Sequence, residues 1–128
     1  MAISPELLKK CLEVPVANIG HLTFFGFMDG GIRPIYKGAR LAGTARTVQF
    51  PGFDGTAMQD LMDVIEPGDV VMIDRLGDNR YACFGDGAAF RIRSKGAVGC
   101  VIDGAATDAL EIEGLGFPTF SRSISPIT

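Results

Sequence analysis

Residues 85–108 read GDGAAFRIRSKGAVGCVIDGAATD, and this stretch decides the fold. The opening Gly-Asp-Gly predicts the start of a helix, which ends at Lys95 where a glycine follows. The apolar run 98–102 predicts a buried strand, and the strand leads into a loop that carries Asp103 and Asp108. A helix followed by a buried strand is typical of α/β proteins, in which ligands bind beyond the carboxyl ends of the strands.

Two polar features of this stretch predict a site. The backbone N–H groups at the helix start are expected to be free and to favour an anion: Asp86, Gly87, Ala88 and Ala89. Asp103 and Asp108, joined by the Asp86 carboxylate, would supply oxygen ligands for a hard divalent cation. The pattern therefore indicates a small anionic substrate bridged to the protein by a cation. The competing interpretation, which is the more common one for such residues, is that Asp86 and Asp108 only cap helices.

Composition excludes several classes of protein. A length of 128 residues predicts a single domain covering residues 1–128, and 47% hydrophobic residues are enough for a core. The net charge of −3, with no basic stripe, argues against nucleic acid as a partner. Cys11, Cys83 and Cys100 are odd in number and form no CxxC, which predicts reduced thiols in a cytoplasmic protein. We expect no membrane segment and no signal peptide.

Helical and apolar segments alternate along the rest of the chain. Helices are predicted from Ser4-Pro5, from Val16, after a cap at Asp54, and over Ala109–Leu115; strands are predicted over Ala39–Phe50, Val70–Ile73 and Phe117–Arg122. The aromatic cluster of Phe24, Phe25 and Phe27 belongs to the core or to a subunit interface. This alternation predicts a largely parallel α/β sheet. The dinucleotide, P-loop and serine-hydrolase motifs do not occur.

Five segments of the chain resemble the RraA-like superfamily. They read RPIYKGARLAGTARTV, EPGDVVMID, NRYACFGD, KGAVGCVIDGAATD and LGFPTFSRSISP, in the order and spacing of the family. That superfamily includes the regulator of ribonuclease E activity and class II aldolases for 4-hydroxy-4-methyl-2-oxoglutarate and 4-carboxy-4-hydroxy-2-oxoadipate, and many members decarboxylate oxaloacetate. The resemblance implies a layered α/β/β/α sandwich of the swivelling-domain-like type.

The aldolases of this superfamily carry an Asp, twenty further residues and then Arg-Asp. In this chain Asp86 is followed by residues 87–106 and then by Thr107 and Asp108. The resemblance implies that Asp108 binds Mg²⁺ or Mn²⁺ directly and that Asp86 holds a water of that cation. It also implies that the backbone at Gly87, Ala88 and Ala89 binds the carboxylate of a pyruvate-like substrate.

The family arginine, which contacts the 2-oxo oxygen, is replaced by Thr107. A threonine offers one hydroxyl, whereas an arginine offers a fixed fork of donors with a permanent positive charge. Losing one such contact typically lowers a rate by about two to three decades. Arg75, Arg80 and Arg91 are candidates to compensate, and we assign Arg80 to substrate binding.

The sequence thus predicts a metal-dependent lyase, of aldolase or decarboxylase type, for a small 2-oxo or hydroxy acid. The alternative is a non-catalytic RraA-like regulatory or protein-binding module. Family members usually continue beyond the Ser-Pro at residues 125–126 with further strands that supply a Glu to a neighbouring subunit, so we expect this chain to lack those strands. The resemblance also implies a homotrimer or hexamer.

Overall fold

The computed structural model describes residues 3–52 and 55–128, which fold into helices and strands that largely alternate. The helices are α1 (Pro5–Glu13), α2 (Val16–Gly20), α3 (Thr56–Val64), α4 (Asp86–Ser94) and α5 (Ala109–Leu115). The strands are β1 (Arg33–Pro34), β2 (Thr44–Gln49), β3 (Asp69–Asp74), β4 (Gly99–Ala106) and β5 (Thr119–Ile124).

The strands form one sheet in the order β1-β5-β4-β3-β2. β2, β3, β4 and β5 are parallel neighbours, and only β1 is antiparallel. Because each crossover moves to the next strand in the same direction, the usual right-handed connection places α3, α4 and α5 on one face. The predicted α/β class is confirmed, and the described residues supply one helix layer and one sheet layer of the sandwich that the resemblance implies.

The core lies between that face of the sheet and the three helices. Alternate strand residues point into it, among them Val71 and Ile73 of β3 and Cys100 and Ile102 of β4. The helices contribute apolar residues at helical spacing: Met58, Leu61 and Met62 from α3, Ala89 and Ile92 from α4, and Ile112 from α5. The methionines are core residues, as the sequence predicts. Within residues 3–52 and 55–128 no helix is long and apolar enough to cross a membrane.

Local signals set most of the helix ends. The Ser4 hydroxyl accepts the Leu7 N–H at 3.3 Å, so Ser4 caps α1 as predicted. α4 is followed by Lys95 and by Gly96 at φ +97°, a conformation that favours glycine. The cap predicted at Asp54 lies outside the described residues.

Two strands differ from their predicted bounds. The strand expected over Ala39–Phe50 runs only from Thr44 to Gln49, the residues that pair with β3. The strand expected over 98–102 runs on to Ala106, since β4 pairs with β5 again beyond an irregularity between Ile102 and Ala105. Asp103 therefore lies inside β4 and not in the loop.

Candidate functional site

The start of α4 lies beside the carboxyl end of β4. The segment before α4 runs along that strand, with Ala82 bridged to Ala105 and the Thr107 N–H donated to the Phe84 carbonyl at 2.9 Å. These contacts bring residues 86 and 108 together although 21 positions separate them in the sequence. Asp108 and the start of α4, both singled out in the sequence, therefore lie next to each other.

Asp108 points its carboxylate at the start of α4 and not at its own helix. Its backbone is left-handed, at φ 52° and ψ 42°, and its side chain makes no capping hydrogen bond to α5. One carboxylate oxygen, Oδ2, accepts the Asp86 N–H at 3.2 Å, and the other, Oδ1, accepts the Thr107 hydroxyl at 3.2 Å. A left-handed backbone is uncommon for residues other than glycine, although Asp adopts it more readily than most. The side chain therefore does not cap α5, and it accepts a backbone N–H at the start of α4 instead.

Asp86 is the first residue of α4, and the capping position belongs to Gly85. The Asp86 carboxylate is exposed and accepts the Gly87 N–H at 2.6 Å. Gly85 is required for the close approach of the two segments, because a Cβ there would overlap Asp108 Oδ2 and lie 2.9 Å from Thr107 Cγ2. The helix start therefore holds two carboxylates, a placement that its dipole favours.

The expectation of free amides at this helix start is partly wrong. Asp86 donates its N–H to Asp108, Gly87 donates to Asp86, and Ala89 donates to the Gly85 carbonyl at 3.0 Å. Ala89 is also completely buried in the core, so its amide is not available to a substrate. The physical reason is that the neighbouring carboxylates already act as the anions at this helix start. Ala88 is half-buried beside them.

The donor set suits a hard divalent cation with an incomplete protein shell. Each carboxylate has about four lone-pair positions, and Asp108 uses only one hydrogen bond on each oxygen. Mg²⁺ is typically bound by one or two carboxylates and keeps several waters. Across the described residues no three His, Cys, Asp or Glu side chains gather at one point. Asp86 and Asp108 thus fit a Mg²⁺-like site open to substrate, and not a closed protein cage.

Asp103, a predicted ligand, belongs to a different cluster. Its carboxylate accepts the Nε–H of Arg122, and Arg122 also donates to Asp29 at 2.8 Å. The pKa of Asp29 is lowered, chiefly by the Gly31 N–H and then by Arg122. The prediction that Asp103 joins Asp108 is wrong, because Asp103 lies on the sheet face opposite the helices and pairs in register with Asp74.

The three arginines proposed to compensate for Thr107 have other contacts. Arg75 is buried and donates to the carbonyls of Phe50 and Gly52, each at 2.9 Å, and to the Asp78 carboxylate at 2.8 Å. Arg91 donates to the Gln59 side chain at 3.0 Å. The Arg80 guanidinium lies over the ring of Tyr81, 5.4 Å from its centroid. None of these contacts joins an arginine to Asp86 or Asp108.

A cavity of about 330 Å³ lies beside the site, at the ends of β2 and β3. Arg75 and Cys83 line it, together with Ala88 from the first turn of α4. Burial raises the pKa of the Cys83 thiol to about 11, so the thiol is a poor nucleophile. Neither Asp86 nor Asp108 lines this cavity, so it is separate from the carboxylates.

The sequence did not predict the close contact of Gly85 with Asp108 or the pairing of Ala82 with Ala105 in β4. Gly85 was part of the predicted turn, but its closeness to Asp108 follows from the pairing of Ala82 with Ala105, which no local pattern encodes. Arg122 was also missed as the partner of Asp103. No sequence signal pointed to this pair, because Asp103 was predicted to lie in the loop after the strand over 98–102 and Arg122 at the end of the strand over Phe117–Arg122.

Comparison with known proteins finds the same family by a family model and by a curated relative. The family model described as RraA-like, Aldolase/RraA, matches residues 17–128. A protein of Halalkalibacterium halodurans with the provisional name 4-hydroxy-4-methyl-2-oxoglutarate aldolase is 37% identical over 91 residues, which are 71% of this chain and 43% of that protein. The chain therefore spans less than half the length of this relative.

Solved structures agree with that match. RraAS2 of Streptomyces coelicolor, described as an unusual member of the RNase ES inhibitor RraA protein family, superposes with a TM-score of 0.79 and 27% identity. The match covers 97% of this chain and 66% of RraAS2. The RNA-processing inhibitor RraA of Thermus thermophilis has the same fold, with a TM-score of 0.75 at 23% identity over 90% of this chain and 70% of that one. The chain belongs to the RraA-like family.

Proposed function

We propose that the protein is a divalent-metal-dependent lyase for a small 2-oxo or hydroxy acid, with Asp86 and Asp108 as the cation ligands. The observation that carries the proposal is the Asp108 carboxylate, which is held in a left-handed backbone and turned to the start of α4 without capping α5. The provisional aldolase name of the Halalkalibacterium halodurans relative supports the same reaction class.

The residues of the site have distinct roles in this proposal. Mg²⁺ or Mn²⁺, when bound, supplies a Lewis acid for the 2-oxo acid. Asp108 would hold that cation directly, and Asp86 would hold it through water. In this proposal the amides of Gly87 and Ala88 bind the substrate carboxylate at the positive end of α4, so the substrate replaces the Asp86 carboxylate, which accepts the Gly87 N–H at 2.6 Å.

For oxaloacetate the proposed reaction is decarboxylation. The bond from the 3-carbon to its carboxylate breaks, carbon dioxide leaves, and the electron pair remains as the enolate of pyruvate. A proton from solvent then returns to the 3-carbon. Thr107 stands where the aldolases of the family place an arginine, and it donates its single hydroxyl hydrogen to Asp108 at 3.2 Å. It can donate to the developing enolate oxygen only by giving up that hydrogen bond, so we expect slow turnover.

The decisive test is the melting temperature with Mg²⁺ or Mn²⁺, together with pyruvate release from oxaloacetate and from hydroxy-oxo-diacids. Binding at one hundred times the Kd stabilises a protein by about 2.7 kcal/mol. We expect both readouts to respond in the wild type and neither to respond in Asp108→Asn. Asp63→Asn, which removes an exposed carboxylate from α3, is the matched control and should behave as wild type. Thr107→Arg should raise turnover by about two decades.

The second candidate is a non-catalytic regulatory or protein-binding module. The name of RraAS2, which places that protein in an inhibitor family, favours it. The site itself gives a ribonuclease regulator no support, because the chain keeps Asp108 and lacks only the arginine. A protein whose melting temperature and turnover both ignore Mg²⁺ and Mn²⁺ would be this module and not a lyase. The ribonuclease regulator resemblance then becomes the leading hypothesis.

We propose further that the chain forms a homotrimer or hexamer, in the cytoplasm. The three cysteines are unpaired, as expected for a reducing compartment. Sites formed between subunits would complete the open side of the Asp86 and Asp108 pair. That residues 1–128 form a single domain stays a prediction.

A further inference from the structure

Arg75 is a buried charge that directly follows β3. Its guanidinium donates to the carbonyls of Phe50 and Gly52, just beyond β2, and to the carboxylate of Asp78. Among the described side chains, its Nε is the one buried nitrogen or oxygen atom without a hydrogen-bond partner. A buried ion pair that leaves one donor unpaired is weak evidence for a stabilising role. The placement of Arg75 therefore calls for another explanation.

Asp78 connects Arg75 to the backbone that precedes α4. One oxygen of its carboxylate, Oδ2, accepts the Arg75 guanidinium at 2.8 Å. The other, Oδ1, accepts the N–H of Arg80 at 2.8 Å and that of Tyr81 at 3.2 Å. The loop also lies tightly on β4, because a Cβ at Gly104 would overlap Arg75 Cγ and lie 2.9 Å from the Asp78 carbonyl oxygen. The Arg75–Asp78 ion pair thus fixes where residues 80 and 81 lie relative to the sheet.

Residues 82–85 connect this loop to the proposed cation site. They run beside β4, where Ala82 is bridged to Ala105. The Thr107 N–H donates to the Phe84 carbonyl at 2.9 Å. α4 follows directly, and its first N–H donates across to the carboxylate that precedes α5. A displacement of residues 82–85 would therefore change the distance between the two proposed ligands.

Contacts on the other side of the loop limit how far it can move. The Ser125 hydroxyl donates to the Arg80 carbonyl at 2.6 Å, and the Ala82 N–H donates to the Ile127 carbonyl at 2.7 Å. Neither bond involves Arg75 or its partner. We therefore expect the loss of the Arg75–Asp78 ion pair to loosen the site and not to abolish it.

We propose that Arg75 is a positioning residue of the Asp86 and Asp108 site, acting through Asp78 on the segment before α4. The inference rests on the proposed function and adds the residue that keeps the two halves of the cation site together. Replacing residues that orient metal ligands typically lowers metal affinity by about 10- to 100-fold. Because the contacts on the other side of the loop remain, the effect belongs at the lower end of that range.

The first test measures cation affinity, with the electron paramagnetic resonance signal of free Mn²⁺ as the readout. Arg75→Lys keeps the charge but loses the planar fork of donors that reaches two carbonyls and a carboxylate at once. Asp78→Asn keeps an oxygen but removes the charge that pairs with Arg75. We expect the Kd for Mn²⁺ to rise about tenfold in each variant. The double variant should be no weaker than either single one, because the two residues act as one unit.

Asp69→Ala is the matched control. It breaks a second arginine–aspartate pair of β3, between Arg46 and Asp69, at the opposite end of that strand. It should lower stability and leave the Kd for Mn²⁺ as in the wild type. A purely structural role of Arg75 would not separate the two variants in this way.

The second test needs no metal. Hydrogen exchange of the Thr107 amide reports the contact with Phe84, and the Cys100 amide, which donates to the Pro118 carbonyl at 2.9 Å, reports the other end of β4. In metal-free Arg75→Lys and Asp78→Asn we expect exchange to become faster at Thr107 and to stay unchanged at Cys100.

The outcomes distinguish this inference from the proposed function. Wild-type Kd values for Mn²⁺ in both variants, or unchanged exchange at Thr107, overturn the positioning role alone. An equal loss of affinity in Asp69→Ala also overturns it, because lower stability then explains the effect. A wild type that binds no Mn²⁺ overturns the proposed cation site and this inference with it. If Arg75→Lys does not fold, Asp78→Asn, whose changed side chain is partly exposed, decides both tests.

Discussion

Replacing Gly85 by alanine tests whether the Asp108 carboxylate is held where the site requires it. Gly85 has φ −132° and ψ −166°, an extended conformation that alanine adopts without strain. The only new feature is a methyl group that overlaps Asp108 Oδ2 and crowds Thr107 Cγ2. The carboxylate must move, and the hydrogen bond from the Asp86 N–H is lost.

The size of the effect follows from two opposing contributions. A hydrogen bond to a charged group contributes about 1.5 to 3 kcal/mol, and the partly exposed Asp108 belongs at the lower end of that range. Replacing glycine by alanine reduces the entropy of the unfolded chain and returns about 0.4 to 1 kcal/mol. We expect a net loss of about 1 kcal/mol for Gly85→Ala, which lowers Tm by about 3 to 5 °C in a domain of this size.

Gly87→Ala is the matched control two positions away. A Cβ at Gly87 meets no atom within 4 Å, and the residue lies in the first turn of α4. Alanine is the better helix former, so this variant should be stabilised by about 0.5 to 1 kcal/mol. Thermal and urea unfolding measure both variants, and the response of Tm to Mg²⁺ should be lost in Gly85→Ala alone. Equal stability of the two variants, with equal metal responses, would refute the proposed placement of Asp108.

Three further predictions concern the fold around the site. Asp69→Ala should cost about 2 to 3 kcal/mol in urea unfolding, because the buried Asp69 carboxylate accepts the Arg46 guanidinium at 2.8 Å and Arg46 stays partly buried without it. The N–H groups of residues 80 and 81 lower the pKa of Asp78. The stability that the charged Asp78 carboxylate contributes is therefore fully present above about pH 4 and is lost as the pH falls through the lowered pKa. Asp78→Asn should make the loss of stability on acidification less steep. With a thiol reagent at pH 8 the exposed Cys11 should react at once. Cys83 should react only on unfolding, because burial raises the pKa of its thiol to about 11. Rapid labelling of two thiols in the native protein would contradict this prediction.

Local sequence signals predicted most of the helices and strands, but they did not predict the tertiary contacts between them. The helix from Asp86 was predicted because its glycine turn and its Lys-Gly end are both encoded within residues 85–96. The length of β4 was not, because its last residues become a strand only by pairing with β5. Asp103 was misplaced for the same reason: a shift of a few residues in a strand end changes whether a carboxylate lies in a loop or on a sheet face.

The sequence singled out Asp86 and Asp108, but it did not predict the hydrogen-bond partners of the backbone amides at the start of α4. The twenty-residue spacing identified Asp86 and Asp108, which the structure brings together at one helix start. The amides were expected to be free because a helix N-terminus leaves its first N–H groups without partners within the helix. In the structure the Asp86 N–H donates to Asp108, which is distant in the sequence, and the Gly87 N–H donates to the neighbouring Asp86. Neither contact follows from the residue types alone.

The Asp108 carboxylate separates two explanations of the site. Its side chain does not cap α5, yet it accepts the Asp86 N–H and so satisfies one backbone donor at the start of α4. Capping α4 therefore explains where the carboxylate points, and the proposed cation adds a second role that capping does not require. If the carboxylate only caps α4, Asp108→Asn should lose stability while the response of Tm to Mg²⁺ stays as in the wild type. If it is a ligand, Tm should rise with Mg²⁺ in the wild type and not in Asp108→Asn.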